Sequence, residues 1–241
     1  MVAYWETLQV DGEPMRTYVS MPDVAGPHPG VVVIMEAFGV NGHMQKVTDR
    51  LAQAGYVAVC PDLYHRIGPD VVLPYGDPKV REVMGQLTDA QIIADGNTAI
   101  AYLQQNPQVT DKIGIVGFCV GGRISYLMAG VHPALAAAVV YYGGRILIPF
   151  GAGPAPIERT PHIQCPVLGL FGSLDQNPSV EDVRTIEAAL QQAGKTYQFH
   201  IYEGAGHGFN CDERASYHPQ AAADAWQKTL AWFATYLKGA A

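Results

Sequence analysis

The chain has 241 residues, of which 49% are hydrophobic and 15% are charged, and its formal net charge is −7. This composition predicts a globular protein that forms one domain over residues 1–241. The negative charge argues against nucleic acid and against anionic membrane surfaces as partners. An anionic substrate would therefore need a local cationic feature in its binding pocket.

The expected location is the cytoplasm. No run approaches the roughly 18 apolar residues of a membrane span, and the first residues show no recognisable signal peptide. The four cysteines contain no CxxC pair and do not resemble a disulfide framework. They are expected to be the free thiols of a cytosolic enzyme.

The first half of the chain predicts a hairpin followed by buried strands. Residues 4–10 and 15–20 flank Asp11-Gly12-Glu13 and predict an antiparallel hairpin. The apolar runs 30–35 and 56–60 predict strands covered on both faces, with a helix between them that stops at Gly55. Residues 65–87 contain three prolines and no clear periodicity, which is typical of a functional loop or lid.

The second half predicts strands that alternate with helices. Thr88-Asp-Ala-Gln91 predicts a capping box that opens a helix, and strands are expected at 113–118, 136–142, 166–171 and 197–202. Ser179 is expected to cap a helix that ends at Gly194, and Pro219 to open the last helix. The sequence thus predicts an α/β fold: a doubly wound, mostly parallel sheet of about eight strands with an antiparallel N-terminal hairpin.

The segment Gly117-Phe-Cys119-Val-Gly121 joins a predicted strand to a predicted helix and has the form of a nucleophile elbow, with cysteine where serine is usual. Glycines suit so tight a turn, and a helix N-terminus favours a thiolate. The N–H groups of Val120 and Ala37 are the expected oxyanion donors. The alternative is a buried structural cysteine on an ordinary glycine turn.

Three more candidate catalytic residues follow predicted strands: Glu36, Asp175 and His207. Ligands of open α/β sheets bind at the carboxyl ends of strands, and nucleophile, acid, histidine is the chain order of hydrolases with this elbow. We expect His207 to take the thiol proton and Asp175 to accept the other imidazole N–H. Glu36 either points into the pocket, where it competes for that proton, or is a solvated or capping residue.

Candidate substrate contacts are cations and aromatic side chains near these strand ends. Arg81 lies in the irregular segment near the site, and the other candidate cations are Arg123, His65 and Arg66. Surface solvation is the alternative for each of them. The aromatic residues expected to form pocket walls are Phe38, Tyr64, Tyr141 and Tyr142.

Taken together, these motifs resemble the dienelactone hydrolases (carboxymethylenebutenolidases), a family with the α/β-hydrolase fold. The matching segments are Glu36-Ala-Phe-Gly-Val-Asn41, Cys60-Pro-Asp-Leu-Tyr64, Gly117-Phe-Cys-Val-Gly-Gly122, Tyr141-Tyr-Gly143, Gly172-Ser-Leu-Asp175 and Gly206-His-Gly-Phe209. The resemblance implies that Cys119, His207 and Asp175 hydrolyse a small unsaturated lactone through a thioester acyl-enzyme, without cofactor or metal. It further implies that Glu36 holds the resting thiol and then takes its proton, and that Arg81 binds a substrate carboxylate.

Two positions depart from the family pattern and keep alternatives open. Cys211 stands where a second carboxylate-binding arginine is expected, and Gly85 stands where an aromatic residue is expected.

One alternative is a thiol-dependent esterase or lactonase that acts on uncharged or bulkier esters. Another is a metal-binding or redox protein that uses Cys119, His207, Cys211 and Glu36. The last is a catalytically silent binding protein on the hydrolase scaffold. The expected partner is a small-molecule substrate, and the expected state is a monomer or weak homodimer.

Overall fold

The computed structural model describes residues 1–239, and the elements below lie in that range. The strands are β1 Val2–Val10, β2 Glu13–Met21, β3 His28–Ile34, β4 Val57–Pro61, β5 Val109–Phe118, β6 Leu135–Tyr141, β7 Val167–Gly172 and β8 Tyr197–Tyr202. The helices are α1 Gly42–Gln53, α2 Val80–Met84, α3 Asp89–Gln105, α4 Val120–Ala129, α5 Val180–Gln192 and α6 Pro219–Leu237. A 3₁₀ helix covers Pro156–His162.

Across the described residues the strands form one eight-stranded sheet in the order β1-β2-β4-β3-β5-β6-β7-β8. β1 pairs antiparallel with β2, and β2 pairs antiparallel with β4. All pairings from β4 through β3 to β8 are parallel. Asp11 and Gly12 both have positive φ, the conformation that closes a tight hairpin. The predicted α/β fold, its mostly parallel sheet and its antiparallel N-terminal hairpin are confirmed.

Helices cover both faces of the central strands. A side chain at Gly114 of β5 would meet Phe233 and Leu237 of α6, whereas one at Gly30 of β3 would meet Leu103 of α3 and Ile113, the residue before Gly114. Successive residues of a strand point to opposite faces, so α3 and α6 lie on opposite sides of the sheet. The residues of β3 and β5 beneath these helices are almost completely buried, which explains their continuous apolar runs.

Some local predictions were wrong. Thr88 does cap α3, but its hydroxyl donates to Oε1 of Gln91 at 2.8 Å, so the reciprocal bond of a capping box is not formed. β5 begins at Val109, four residues before the apolar run, because its backbone pairs with His28 through an exposed polar stretch. The irregular segment contains α2, which spans five residues and is too short to show a helical period.

None of the helices within residues 1–239 combines the length and the apolar character needed to span a membrane.

Candidate active site

Cys119 lies on the turn between β5 and α4, in strained backbone geometry. Its φ is 59°, a region that side chains other than glycine seldom adopt. The neighbouring glycines make the turn possible, because a side chain at Gly117 would collide with the carbonyl of Gly121, and one at Gly121 would collide with the carbonyls that end β3. The Cys119 N–H donates to the Tyr141 carbonyl at 3.1 Å, which ties the turn to β6. The thiol is thus presented at the carboxyl edge of the sheet.

His207 and Asp175 come from the loops after β8 and β7 and meet at this edge. Nδ1 of His207 lies 2.8 Å from Oδ2 of Asp175, which is 3% exposed. The other Asp175 oxygen accepts the Asn177 N–H at 2.8 Å, so the carboxylate is fixed in orientation. Burial lowers the pKa of His207, but the charges of Cys119 and Asp175 and their hydrogen bonds outweigh it and raise the pKa to about 10. These contacts favour the imidazolium form of His207.

Cys119 and His207 share a cavity of about 200 Å³. Three other residues expected from the sequence also line it, namely Ala37, Phe38 and Val120. The N–H groups of Ala37 and Val120 have no acceptor among the loop, cap and side-chain hydrogen bonds of the described chain. Two free N–H groups beside a thiol are the arrangement that can stabilise an oxyanion.

Tyr64 and Tyr142, expected as pocket walls, lie beneath the cavity and do not line it. The Tyr64 hydroxyl donates to the Ala37 carbonyl at 2.9 Å and so holds one oxyanion donor from behind. The Tyr142 hydroxyl donates to Glu36 at 3.3 Å, and its ring stands edge-on to His207 with centroids 5.2 Å apart. Tyr141 is likewise buried, with its hydroxyl 2.7 Å from that of Thr229. These tyrosines support the site from below.

Glu36 is completely buried, so the solvated alternative was wrong. Its Oε1 accepts from the Tyr142 hydroxyl and lies 3.4 Å from Nη1 of Arg214. Its Oε2 has no hydrogen-bond partner among residues 1–239. The resemblance implied that this carboxylate holds the resting thiol, but no hydrogen bond joins it to Cys119 within the described chain. In this structure the charged partner of Glu36 is Arg214.

Arg214 lines the cavity, and sequence reasoning missed it. The family resemblance places a second arginine at position 211, four residues after His207, where this chain has cysteine. Tight turns from Gly208 to Tyr217 bring Arg214 back to the site. Glycine suits position 208, because its φ is 77° and a side chain there would occupy the space of the guanidinium. The sequence feature that could have pointed to Arg214 is that it is the next arginine in the chain, three residues beyond Cys211.

Arg81 faces a second cavity of about 420 Å³, which we call the annex. The annex is lined by Arg81, Gly85, Leu87, Pro149, Phe150 and Gly151, and it shares Met84, Arg145 and Asn177 with the cavity around Cys119. Met84 belongs to α2, so the irregular segment does cover part of the site. Arg145 and Asn177 were also missed, because the loops that carry them have no repeating pattern.

The other candidate cations are engaged inside the protein. Arg123 is completely buried, with its guanidinium 2.6 Å from Asp89. Arg66 and His65 both contact Asp95, at 2.7 and 3.3 Å. Such buried partners leave these side chains unavailable to a substrate, so neither the substrate role nor the solvated alternative was right.

A separate group of possible metal ligands occurs in the described chain. The donor atoms of His43, Cys211 and Asp212 lie within 4.8 Å of one another. This group does not include Cys119, His207 or Glu36. The thiol of Cys211 also donates to the Tyr75 hydroxyl at 3.2 Å, and the Tyr75 ring packs edge-on against Phe38.

Comparison with known proteins identifies the family of the chain. The model of the "Dienelactone hydrolase family" matches residues 15–237. A protein of Synechocystis sp. is 40% identical over 239 residues, which cover 97% of this chain and 94% of the relative. A protein of Methylorubrum extorquens is 38% identical over 221 residues, covering 91% and 76%. Both bear the name "Putative carboxymethylenebutenolidase".

A solved structure has the same fold over its whole length. It is the "Putative Dienelactone Hydrolase" of Klebsiella pneumoniae subsp. pneumoniae MGH 78578, which superposes with a TM-score of 0.90 at 37% identity and covers 98% of this chain and 99% of that chain. The family match spans nearly all of the strands and helices and includes the residues gathered around Cys119. The chain belongs to the dienelactone hydrolase family and is a carboxylic ester hydrolase of the α/β-hydrolase fold.

Proposed function

We propose that this hydrolase opens a small unsaturated lactone or ester through a thioester on Cys119, with His207 and Asp175 as the other members of a catalytic triad. The observation that carries the proposal is the 2.8 Å contact between His207 and Asp175 beside a thiol held on a strained turn. A cationic imidazole next to a thiol at a helix N-terminus favours the thiolate, which is the nucleophilic form.

The first half of the reaction forms the thioester. The Cys119 sulfur attacks the carbonyl carbon, and the N–H groups of Ala37 and Val120 stabilise the oxyanion. As the tetrahedral intermediate collapses, the carbon–oxygen bond breaks and His207 gives its proton to the leaving oxygen. In a lactone the leaving oxygen remains attached to the acyl group.

The second half releases the acid. The now neutral His207 takes a proton from water, and the resulting hydroxide adds to the thioester carbon. Collapse breaks the carbon–sulfur bond, restores the thiolate beside the imidazolium and leaves a carboxylic acid. Asp175 keeps the imidazole oriented throughout, because its own position is fixed by the Asn177 N–H.

Glu36 and Arg214 are proposed to link substrate binding to the state of the thiol. An anionic substrate group would compete with the Glu36 carboxylate for Arg214, because each can accept hydrogen bonds from the same guanidinium. Release of Arg214 would leave the buried Glu36 with only the Tyr142 hydroxyl as a partner. We propose that the freed carboxylate then takes the proton of the Cys119 thiol, the role that the family resemblance implies for Glu36.

The test compares wild type, Cys119→Ala and Cys165→Ala on a dienelactone and on a short p-nitrophenyl ester at neutral pH. Cys165 is a buried thiol outside the site and serves as the matched control. We expect Cys119→Ala to lose at least about a thousandfold in kcat/KM and Cys165→Ala to retain activity. Equal activity of Cys119→Ala and wild type would overturn the proposed triad. Turnover of the aryl ester alone would keep the mechanism and favour the alternative, a thiol-dependent esterase for uncharged esters.

A further inference from the structure

Three metal-ligating side chains meet outside the cavity around Cys119. His43 belongs to the first turn of α1, whereas Cys211 and Asp212 follow one another in the turns after His207. Their donor atoms lie within 4.8 Å of one another. Bonds of about 2.0–2.3 Å to a zinc ion hold its ligand atoms about 3–4 Å apart, so a shift of about 1 Å brings all three donors within reach of one cation.

The imidazole of His43 is buried without a hydrogen-bond partner. Only 5% of its side chain is exposed. Nε2 has no hydrogen-bond partner within residues 1–239, and Nδ1 lies 3.9 Å from Oδ1 of Asp212, beyond hydrogen-bond distance. Buried polar groups nearly always have a partner. An unpaired imidazole with a thiol and a carboxylate beside it is the environment of a metal-binding histidine.

The Cys211 sulfur has a second polar group behind it. Cys211 is completely buried, and its Sγ lies 3.2 Å from the Tyr75 hydroxyl. That hydroxyl oxygen accepts from Nδ2 of Asn41 at 3.0 Å, so its own proton is free to turn toward a thiolate. Asn41 is itself fixed at the start of α1, where its Oδ1 accepts the Met44 N–H at 3.1 Å. Outer partners of metal ligands orient them in this way.

A cavity of about 240 Å³ gives access to these donors, and we call it the outer cavity. His43, Asn210 and Asp212 line it, whereas Cys211 lies beneath. Nδ2 of the buried Asn210 has no hydrogen-bond partner among residues 1–239 and can donate to a water molecule. The outer cavity thus offers an entry path and room for water as a further ligand.

The two cations in the wall of the outer cavity are engaged elsewhere. Nζ of Lys46 lies 2.9 Å from a carboxylate oxygen of Glu213. The guanidinium carbon of Arg50 lies 3.9 Å from the centroid of the Trp226 ring. Because these cations have other partners, the Asp212 carboxylate remains available to a metal ion.

We propose that His43, Cys211 and Asp212 bind one Zn²⁺ ion, with water as the fourth ligand. Imidazole, thiolate and carboxylate together favour zinc over Mg²⁺ and Ca²⁺, which prefer oxygen ligands. Binding releases the thiol proton of Cys211 to water. The ion joins α1 to the turns that carry Arg214, two residues beyond Asp212, and so stabilises the folded state. The site is separate from Cys119 and does not depend on the proposed hydrolysis.

The test measures metal binding by the full chain carrying Cys119→Ala, because Cys119 and His207 would otherwise offer other metal ligands. Zn²⁺ is titrated by calorimetry, and Co²⁺ serves as a second probe because a thiolate ligand gives it a charge-transfer absorption band. The variants added to this parent are His43→Gln, Cys211→Ala, Asp212→Asn and Tyr75→Phe. The matched controls are His200→Gln, Glu213→Gln and Cys165→Ala.

We expect the parent to bind one Zn²⁺ per chain with a Kd below about 1 μM at neutral pH. Each ligand variant should weaken binding by at least about tenfold, and Tyr75→Phe by about tenfold. Cys211→Ala should also abolish the Co²⁺ charge-transfer band, whereas the three controls should keep the affinity of the parent. Saturating Zn²⁺ should raise the urea midpoint of the parent and not that of Asp212→Asn.

Two results would overturn the zinc site. One is no binding by the parent at Zn²⁺ concentrations up to about 100 μM. The other is tight binding that the ligand variants leave unchanged. Asp212 is exposed, so Asp212→Asn decides the question if replacement of a buried ligand prevents folding. Either result leaves hydrolysis at Cys119 to its own test.

Discussion

Nη1 of Arg214 lies 3.4 Å from Oε1 of Glu36, a carboxylate with no exposed surface. Because the other carboxylate oxygen has no hydrogen-bond partner in residues 1–239, most of the compensation for burying this charge comes from Arg214 and Tyr142. Arg214 itself is 19% exposed and lies between the Glu36 carboxylate and the cavity. The pair therefore links the buried carboxylate to the cavity around Cys119.

Loss of Arg214 should destabilise the protein through Glu36. Arg214→Gln leaves a buried carboxylate without its cation, and we expect the free energy of unfolding to fall by about 3 kcal/mol. In a Glu36→Gln background the same substitution should cost much less, because no buried charge remains to be compensated. Urea unfolding of wild type, both single variants and the double variant measures the difference. Additive effects of the two substitutions would show that the pair is not coupled.

Cys119 should be the thiol that reacts first. It is partly exposed, whereas Cys60, Cys165 and Cys211 are buried, and burial raises the pKa of all three of these other thiols. Limiting iodoacetamide at pH about 7 should therefore modify Cys119, and hydrolysis should fall in proportion to its labelling. Peroxide should inactivate the enzyme because it oxidises Cys119 before the buried thiols. Peptide mass mapping checks the site, with Cys119→Ala as the control that takes up little label.

Two results would contradict these predictions for Cys119. Labelling of Cys165 or Cys211 at the rate of Cys119 would show that the turn gives no special reactivity. Full activity after stoichiometric oxidation of Cys119 to the sulfenic acid would show that its sulfur is not the nucleophile.

The pKa of His207 should depend mainly on Cys119. Burial lowers it, and the neighbouring Cys119 and Asp175 raise it to about 10. In Cys119→Ala the imidazole of His207 stays buried, but the group that contributes most to raising its pKa is absent. The imidazole should therefore titrate at a much lower pH. Asp175→Asn should lower the pKa too, by a smaller amount. The ¹⁵N chemical shifts of the ring nitrogens, followed against pH, measure all three values.

The same shift predicts the alkaline side of the pH–rate profile. His207 must carry a proton to give to the leaving oxygen, so kcat/KM should fall as the pH rises through about 10. In Asp175→Asn this fall should begin at a lower pH. An unchanged profile in that variant would show that the limiting ionisation belongs to another group.

The sequence predicted those parts of the site that parallel strands bring together. Cys119, Asp175 and His207 each follow a strand, and the carboxyl ends of β5, β7 and β8 meet at one edge of the sheet. Arg214 could not be found in this way, because its position depends on consecutive turns after Gly208 and not on a strand end. Arg81 was expected near the site, and the short helix α2 places it in the annex, next to the cavity around Cys119. Other side chains carried by non-repeating loops, such as Arg145 and Arg214, were missed.

The fold could be predicted because its central strands leave a visible pattern in the sequence. Strands such as β3 are buried on both faces, which requires an unbroken apolar run that is visible in the sequence. The buried tyrosines were harder to place, since Tyr64 and Tyr142 follow strands as pocket residues would. Instead, the Tyr64 hydroxyl donates a hydrogen bond to the Ala37 carbonyl, and the Tyr142 hydroxyl donates one to the Glu36 carboxylate. Which side of the cavity an aromatic ring occupies depends on packing that no local pattern records.

The glycines of the elbow should be among the least replaceable residues of the chain. A Cβ at Gly117 would overlap the carbonyl of Gly121 and lie 2.7 Å from the hydroxyl of Ser125. Since the first of these neighbours is backbone, the turn that carries Cys119 would have to shift. We expect Gly117→Ala to lower the free energy of unfolding by about 3 kcal/mol or more and to abolish hydrolysis.

Gly42 provides the matched control for this substitution. It opens α1, its φ is not positive, and a Cβ there would meet nothing within 4 Å. Gly42→Ala should change stability by less than about 1 kcal/mol, in the stabilising direction, because alanine favours a helix. Soluble yield and urea midpoints of both variants measure the effect. If Gly117→Ala unfolds at the same urea concentration as Gly42→Ala and still hydrolyses ester, close packing of the glycines does not hold Cys119 in its strained conformation.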